Sequence, residues 1–491
     1  MDRGDLSLPA GGAVIHHGPT EGADCAACCG PHRGAADPSP RDSRPLLLLA
    51  PETFDLAETT RMLEVGRASR NDFRVEAMCY GGRFTHLLAE AGFTCHCLSP
   101  HLAADRIEQL ARALRMERGG RMFSTEELAA RVDRELALYA ELRPAAIVTG
   151  FVLSTCLSAR IAGVPLVTVA PLPVTRPFFE AGMATFPERF DIGPIRLIPR
   201  SLKNAATNWW GLNTRQWLGP FNTVARRHGL RGFSRLVDLV EADEMLITNV
   251  PEIVGLTDLP PHWRYVGPIF AHLEGQVPDE VRQLPRDRPL VYFSMGSLPN
   301  PRIAERLLEL LGQLPVRAVA PAGAWLRDRT FAVPDNVLLF DLLPAHKVCP
   351  LFDVALIHGG EGTVQTACAT GVPFVGIGFT PEQEANIGFM VRQGTAVRLT
   401  RRELDVEHVG QALRQLLSPQ VRERAAEVQE LFAAWDGPAN AARFLSRYAA
   451  GPGATERAAE AREVERDTGL EPAPLRLGGP NTRAVAHHTQ E

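Results

Sequence analysis

Short apolar runs without period-2 polarity recur along this chain, separated by stretches with helical spacing. PLLLLAP after Arg44 reads as a buried strand, followed by a helical segment around TTRMLEVGRA. FRVEAMCY reads as a second strand, and GGRFTHLLAEAGF supplies the next turn and helix. PAAIVTGF and VPLVTVAP are further strands flanking a helix in LSTCLSARIAG, and MLITNVPEI closes this half near residue 250. Strands apolar on both faces and alternating with helices predict a parallel sheet covered on both sides.

YVGPIFAHLEGQVPDEVRQLPRDRP then breaks the pattern with prolines and charges, as linkers do. The alternation restarts with LVYFSMGS, a helix in PRIAERLLELLGQL, and the strands VRAVAPAG, NVLLFDLLP, VALIHGG and VPFVGIGF. The expected fold class is therefore α/β, two Rossmann-like domains facing each other across a cleft at the carboxyl ends of their sheets. The expected boundaries are a disordered tail over 1–44, an amino-terminal domain over 45–267 and a linker over 268–287. A carboxyl-terminal domain over 288–450 and a second tail over 451–491 complete the division.

Composition narrows the function classes. A chain of 491 residues exceeds a single core, and 45% hydrophobic with 22% charged residues is ordinary for a globular protein. A net charge of −5 leaves no basic footprint for nucleic acid. No apolar run approaches the roughly 20 residues of a membrane helix, and the start lacks the apolar core of a signal peptide. The expectation is a cytoplasmic protein with its nine cysteines reduced. Cys25, Cys28, Cys29 and His32 have zinc-like spacing, yet their Gly/Ala/Pro/Ser-rich surroundings read as a tail, and a closed zinc site needs ordered backbone.

The most informative stretch is FDVALI followed by HGGEG and TVQTACATG: a strand, a turn at its carboxyl end, and a helix start. Ligands bind there in open sheets, and exposed N–H groups at a helix start favour phosphate. Gly359, Gly360 and Gly362 let backbone approach an anion, Thr363 can cap the helix or bond a phosphate oxygen, and His358 can reach phosphate directly. A plain Gly-rich turn with a capping threonine is the competing reading.

VYFSMGS, NVLLFDLLPAHKVCP, HGGEGTVQTACATGVP and TPEQEANI occur in that order. Together they resemble the carboxyl-terminal half of family 1 glycosyltransferases, GT-B enzymes of the bacterial natural-product and macrolide type. The resemblance extends through PFNTVARRHGL, ITNVPEI, YVGPI and WDGPANAARFLSRY, covering about residues 45 to 450. It implies that Gly296 and Ser297, with His358, Gly360, Gly362 and Thr363, hold the diphosphate of a nucleotide sugar. Glu382 and Gln383 match the pair that bonds sugar hydroxyls, with Asn386 at the family spacing; an ordinary helix start is their competing reading. Leu342 and Ala345 stand in the nucleobase pocket, where many relatives place tryptophan and glutamine. Thr366 stands where the plant-type signature has glutamate, so UDP and dTDP remain equally compatible. The resemblance implies no cofactor and a metal-independent hexosyltransferase.

The family's base histidine after the first strand is missing. The stretch is APETFDLAETTRM, which places Asp55 at the histidine and Glu58 at the following proline. A buried carboxylate with raised pKa can act as a base, and Glu52 is a weaker third choice. Asp55 and Glu58 also have the spacing of a capping box. His96 could face the cleft but reads more simply as structural. Phe178, Phe179, Trp209, Trp210 and Trp217 form an acceptor pocket, a face leaning on a membrane, or packing. The function expected is an inverting transfer of a sugar from UDP or dTDP to a hydroxyl of a small or lipid acceptor. The alternative is an inactive relative that binds nucleotide sugar or activates a partner.

Overall fold

The computed structural model describes residues 14–15, 42–297, 300–327 and 329–450. Strands β1 (Val14–Ile15), β2 (Leu46–Ala50), β3 (Arg74–Cys79), β4 (Thr94–Cys97), β5 (Ala146–Thr149), β6 (Leu166–Ala170), β7 (Glu244–Ile247) and β8 (Trp263–Tyr265) come first. They are followed by β9 (Leu290–Ser294), β10 (Arg317–Ala320), β11 (Val337–Phe340), β12 (Val354–Ile357), β13 (Phe374–Gly376) and β14 (Ala396–Arg398). The helices that bear on the cleft are α1 (Leu56–Ser69), α2 (Thr125–Leu142), α3 (Arg200–Asn213), α4 (Glu361–Ala369), α5 (Pro381–Arg392) and α6 (Gly437–Ala450).

Two seven-stranded sheets result, ordered β4-β3-β2-β5-β6-β7-β8 and β1-β11-β10-β9-β12-β13-β14. Every pairing is parallel. Burial on both faces explains the sequence: the four leucines of β2 are at most 4% exposed, each contributing roughly 1.5–3 kcal/mol. In each sheet the order reverses at a central strand, β2 in the first and β9 in the second, next to the strands that feed the cleft.

Two segments depart from the expected division. Val14–Ile15 fell within the expected tail, but it pairs in parallel with Leu339 and Phe340 at the edge of the second sheet. An edge strand offers unpaired backbone groups that even a two-residue apolar segment can satisfy. The expected zinc-like Cys/His group lies outside the described residues. The last helix, α6, was expected with the carboxyl-terminal domain, yet it crosses back onto the first sheet's side. Ala441, Leu445 and Tyr448 enter a core with Leu47, Met62, Val65 and Phe93, because the apolar stripe of α6 finds its complement on α1.

The two chain crossings between the sheets lie against each other. At Gly267 (φ +92°) a Cβ would stand 2.6 Å from Trp435, and at Gly437 one would stand 2.1 Å from the Pro268 carbonyl oxygen. Asn440 Nδ2 donates to the Val266 carbonyl at 2.8 Å. Glycine is therefore required at both crossings by backbone proximity. Among the described cysteines, Cys79, Cys156, Cys349 and Cys368 are free thiols, whereas Cys97 is disulfide-bonded, unlike the reduced state expected.

Candidate active site

A cavity of about 510 Å³ lies between the two sheets, lined by residues of both halves. Asp55, Glu58, Gly296, Ser297, Leu342, Ala345, His358, Gly360, Gly362, Thr363, Glu382 and Gln383 all border it. Residues up to 328 positions apart in sequence, Asp55 and Gln383, thus meet because β2, β9 and β12 all end at this point.

His358 leaves β12 with its backbone N–H on the Ser294 carbonyl at 3.2 Å. Its ring sits between two glycines: a Cβ on Gly296 would stand 2.7 Å from Nε2, and one on Gly360 would stand 2.3 Å from it. Glycine at both positions is thus a condition for the ring's placement, and Gly296 also has φ +75°. Burial lowers the His358 pKa to about 4, so the ring is neutral at physiological pH. Its buried Nδ1 has no hydrogen-bond partner among the described residues.

The start of α4 is open. Gly360 is its cap and has no side chain to satisfy the first N–H groups, leaving them toward the cavity. Thr363 therefore does not cap this helix; it stands in the first turn and lines the cavity.

Facing α4 across the cleft is the start of α1. Asp55 is its cap, with Oδ1 accepting the Ala57 N–H at 2.8 Å. The expected capping box is only half formed. The Asp55 N–H goes to the Glu52 carbonyl at 3.0 Å, while Glu58 turns away to accept from Arg61 at 2.5 Å and from the Phe151 N–H at 3.2 Å. The Glu58 carboxyl fits only because residue 150 is glycine, where a Cβ would stand 1.7 Å from Oε2. Tertiary partners outcompeted the local bond.

Arg61 and Glu361 escaped sequence reasoning. Arg61 donates to Glu58 and, at 2.6 Å, to Glu361, the first residue of α4. Glu361 also accepts from Thr248 at 2.5 Å and from Gln365 at 3.0 Å. This buried chain of charges ties the two halves together. Burial works against the Arg61 charge, but Glu58 and Glu361 outweigh it and push its pKa up. Burial raises the pKa of Asp55, Glu58 and Glu361 alike, and that of Glu52 to about 7. The Leu56 N–H reaches Ser297 Oγ at 3.3 Å, a second tie across the cleft. The glutamate inside HGGEGT was the available signal for this linkage, but its partner 300 positions away was not legible.

At the start of α5, Asn386 Nδ2 donates to the Gly359 carbonyl at 3.1 Å and to Glu382 Oε1. Burial pushes the Glu382 pKa to about 8, so its carboxyl is largely protonated at neutral pH. Gln383 Oε1 accepts the Phe379 N–H at 2.9 Å, which leaves its amide N–H₂ for a ligand. Thr380 caps α5 by accepting the Gln383 N–H at 3.2 Å.

The aromatic region divides. Phe179, Trp210 and Trp217 line the cavity, Phe178 is buried beside Phe389, and Trp209 points outward, 53% exposed. Trp325, on the short helix Gly323–Leu326 after β10, also lines the cavity and brings to it an aromatic face that Leu342 lacks. His96 does not reach the cleft; its Nε2 pairs with Glu76 at 2.6 Å. Among the described residues no cluster of His, Cys, Asp or Glu is arranged to hold a metal ion.

Two parallel-sheet α/β domains with facing carboxyl ends and an interdomain cavity define the GT-B architecture. Residues 305–447 match the erythromycin biosynthesis protein CIII-like C-terminal domain. A "PGL/p-HBAD biosynthesis glycosyltransferase" of Mycobacterium tuberculosis (strain ATCC 25177 / H37Ra) is 28% identical over 81% of this chain and 91% of its own length. An "Inactive PGL/p-HBAD biosynthesis glycosyltransferase" of Mycobacterium bovis (strain BCG / Pasteur 1173P2) is 26% identical over 57% of this chain and 74% of its own. The solved structure of "Spinosyn Forosaminyltransferase SpnP" superposes with a TM-score of 0.59 at 18% identity, over 83% of this chain and 100% of that one. The fold is thus that of GT-B enzymes, the relatives this chain resembles are glycosyltransferases, and its carboxyl-terminal part matches the erythromycin-biosynthesis type.

Proposed function

We propose that this protein transfers a sugar, with inversion, from a nucleoside-diphosphate sugar of the UDP or dTDP type to a hydroxyl of a small or lipophilic acceptor. The observation that carries this reading is the convergence on one cavity of Asp55 and Glu58 with six residues expected at the diphosphate and two expected at the sugar. The diphosphate lies against the open start of α4, where the helix dipole and free N–H groups favour negative charge. Neutral His358 donates a ring N–H to a phosphate oxygen. Glu382 and Gln383 then hold the sugar hydroxyls, the protonated carboxyl donating and the amide N–H₂ donating beside it.

Asp55 is the base. Its Oδ1 is held by the Ala57 N–H, and burial raises its proton affinity toward working pH. As Asp55 takes the acceptor's hydroxyl proton, that oxygen bonds the anomeric carbon. The bond from this carbon to the diphosphate oxygen breaks, and the electron pair leaves with the diphosphate. One displacement inverts the centre. Glu58, with both carboxyl oxygens engaged, is the better counter-charge to Arg61. The aromatic side chains Phe179, Trp210 and Trp217 form an apolar acceptor wall.

A second reading, a nucleotide-sugar binder without turnover, draws on one observation: His358 is the sole histidine among the cavity residues, and it belongs to the donor half. Calorimetric titration with UDP and dTDP, followed by turnover assays with matching sugar donors and candidate acceptors, tests the proposal. Asp55→Asn should lower turnover roughly 10²–10⁴-fold with nucleotide affinity unchanged within twofold. Tight nucleotide binding with no wild-type turnover would favour the binder, and turnover unchanged in Asp55→Asn would remove Asp55 as the base.

A further inference from the structure

Helix α3 is turned inside out. Its polar side faces the protein: Asn204 Oδ1 accepts the Phe186 N–H at 2.9 Å, Asn208 bonds both backbone groups of Ala184, and buried Lys203 pairs with Asp191 at 2.9 Å. Leu202, Ala205, Ala206 and Trp209, spaced i, i+3, i+4, i+7, form an apolar stripe on the exposed side. An ordinary surface helix buries such a stripe. The segment leading into α3 behaves alike, with Leu197 87%, Ile192 56% and Ile198 44% exposed. Apart from Val391, every large hydrophobic side chain strongly exposed among the described residues falls within positions 190–210. A concentration of this kind marks an interaction surface.

Charge says what covers it. Between Asp191 and Asp238 the chain contains no Asp or Glu but carries eight Arg or Lys, in a protein whose net charge is −5. Arg196, Arg200 and Arg215 flank the stripe and are exposed. An apolar face rimmed with arginines fits the boundary between acyl chains and anionic headgroups, where aromatic and aliphatic side chains enter and guanidinium groups stay at the phosphates. The patch is continuous with the cavity through Trp210, which is 44% exposed and also lines the cleft.

We infer that α3 and the segment before it form a docking surface for an anionic lipid bilayer, which brings the mouth of the acceptor side of the cleft to the membrane. The surface argument stands on exposure and charge; only its use for acceptor entry rests on the transferase reading.

Flotation of the full chain with phosphatidylcholine vesicles, with and without one third phosphatidylglycerol, tests the inference. Binding should require the anionic lipid and weaken steeply between 0.05 and 0.5 M salt, since such attraction is screened within about a Debye length. Leu202→Ser/Trp209→Ser should weaken binding at least tenfold. Arg196→Ala and Arg200→Ala should each weaken it roughly fivefold. Unchanged melting temperature and UDP or dTDP affinity in these variants would show that fold and donor site are intact. Binding that ignores these substitutions, or absence of binding to anionic vesicles, overturns the inference. So does a concentration-dependent dimer that Leu202→Ser/Trp209→Ser dissolves, which would assign the patch to a second copy. Vesicle binding is read without turnover, so its failure is distinct from failure of the transferase reading.

Discussion

The turn after β2 and the turn after β12 sit at matching places in two sheets of the same construction, and each begins a helix pointing into the cleft. The turn after β12 has a glycine cap, a neutral histidine and no side chain over its first N–H groups. The turn after β2 has an aspartate cap and further carboxyls at Glu52 and Glu58, whose proton affinities burial raises. One helix start has no side chain at its cap. The other is already occupied by the protein's own carboxylate. In the proposed transfer the same backbone device would supply an anion site in one half and a proton acceptor in the other, the difference being set by the residue at the cap.

The two turns are joined by Arg61, which supports both Glu58 and Glu361. Arg61→Met leaves two buried carboxyls without their cation and should cost about 3–5 kcal/mol, read as a lowered denaturation midpoint. If the midpoint shifts by under 1 kcal/mol, the halves are not coupled through this residue. Next in size is Gly360→Ala, whose Cβ would meet the His358 ring at 2.3 Å. It should weaken nucleoside diphosphate binding about tenfold or more (about 1.4 kcal/mol), and His358→Ala should do so several-fold. An unchanged affinity in both would reduce the HGGEGT turn to a plain connection.

The smallest effect is in pH. Folded-state pKa values of about 7 for Glu52 and about 8 for Glu382 exceed the ordinary 4.5, so the folded protein holds more protons there. Their contribution is full below about pH 4.5 and is lost as pH rises through 7 and 8. His358, lowered from 6.5 to about 4, works the other way and gains stability between pH 4 and 6.5. Above pH 6.5 the two carboxyls still lose their contribution, opposed by the Cys79 thiol, whose pKa is lowered to about 7. The carboxyl loss is the larger of the two, so the melting temperature should fall from pH 6.5 to 8. Glu382→Gln should flatten that fall. A melting temperature that rises across this window would contradict the protonated carboxyl at the sugar end.

Legibility followed the range of the interaction. The β2 and β12 strands, the turn at His358 and the helix start at Glu382 depend on neighbours a few positions away. So does the Asp55 cap. The second half of the capping box did not form because Phe151 and Arg61 offered Glu58 better partners than the Asp55 N–H did. Trp325 sits on a four-residue helix with no periodic signal, so its place in the cavity could not be read. The stripe on α3 was visible as aromatic sequence, but its direction was not. An amphipathic helix shows which residues share a side, not which side meets the core.

Sequence alone determined the two alternating α/β halves, the Gly-rich turn at the end of β12 and the absence of a histidine after β2, because strand burial and turn geometry are local properties of the chain. Tertiary structure decided that α6 returns to the first sheet, that Arg61 bridges Glu58 and Glu361, and that Trp209 faces solvent while Trp210 reaches the cleft. Those outcomes depend on which surfaces meet when the two sheets close on each other, and competition among distant partners for the same buried space settles them.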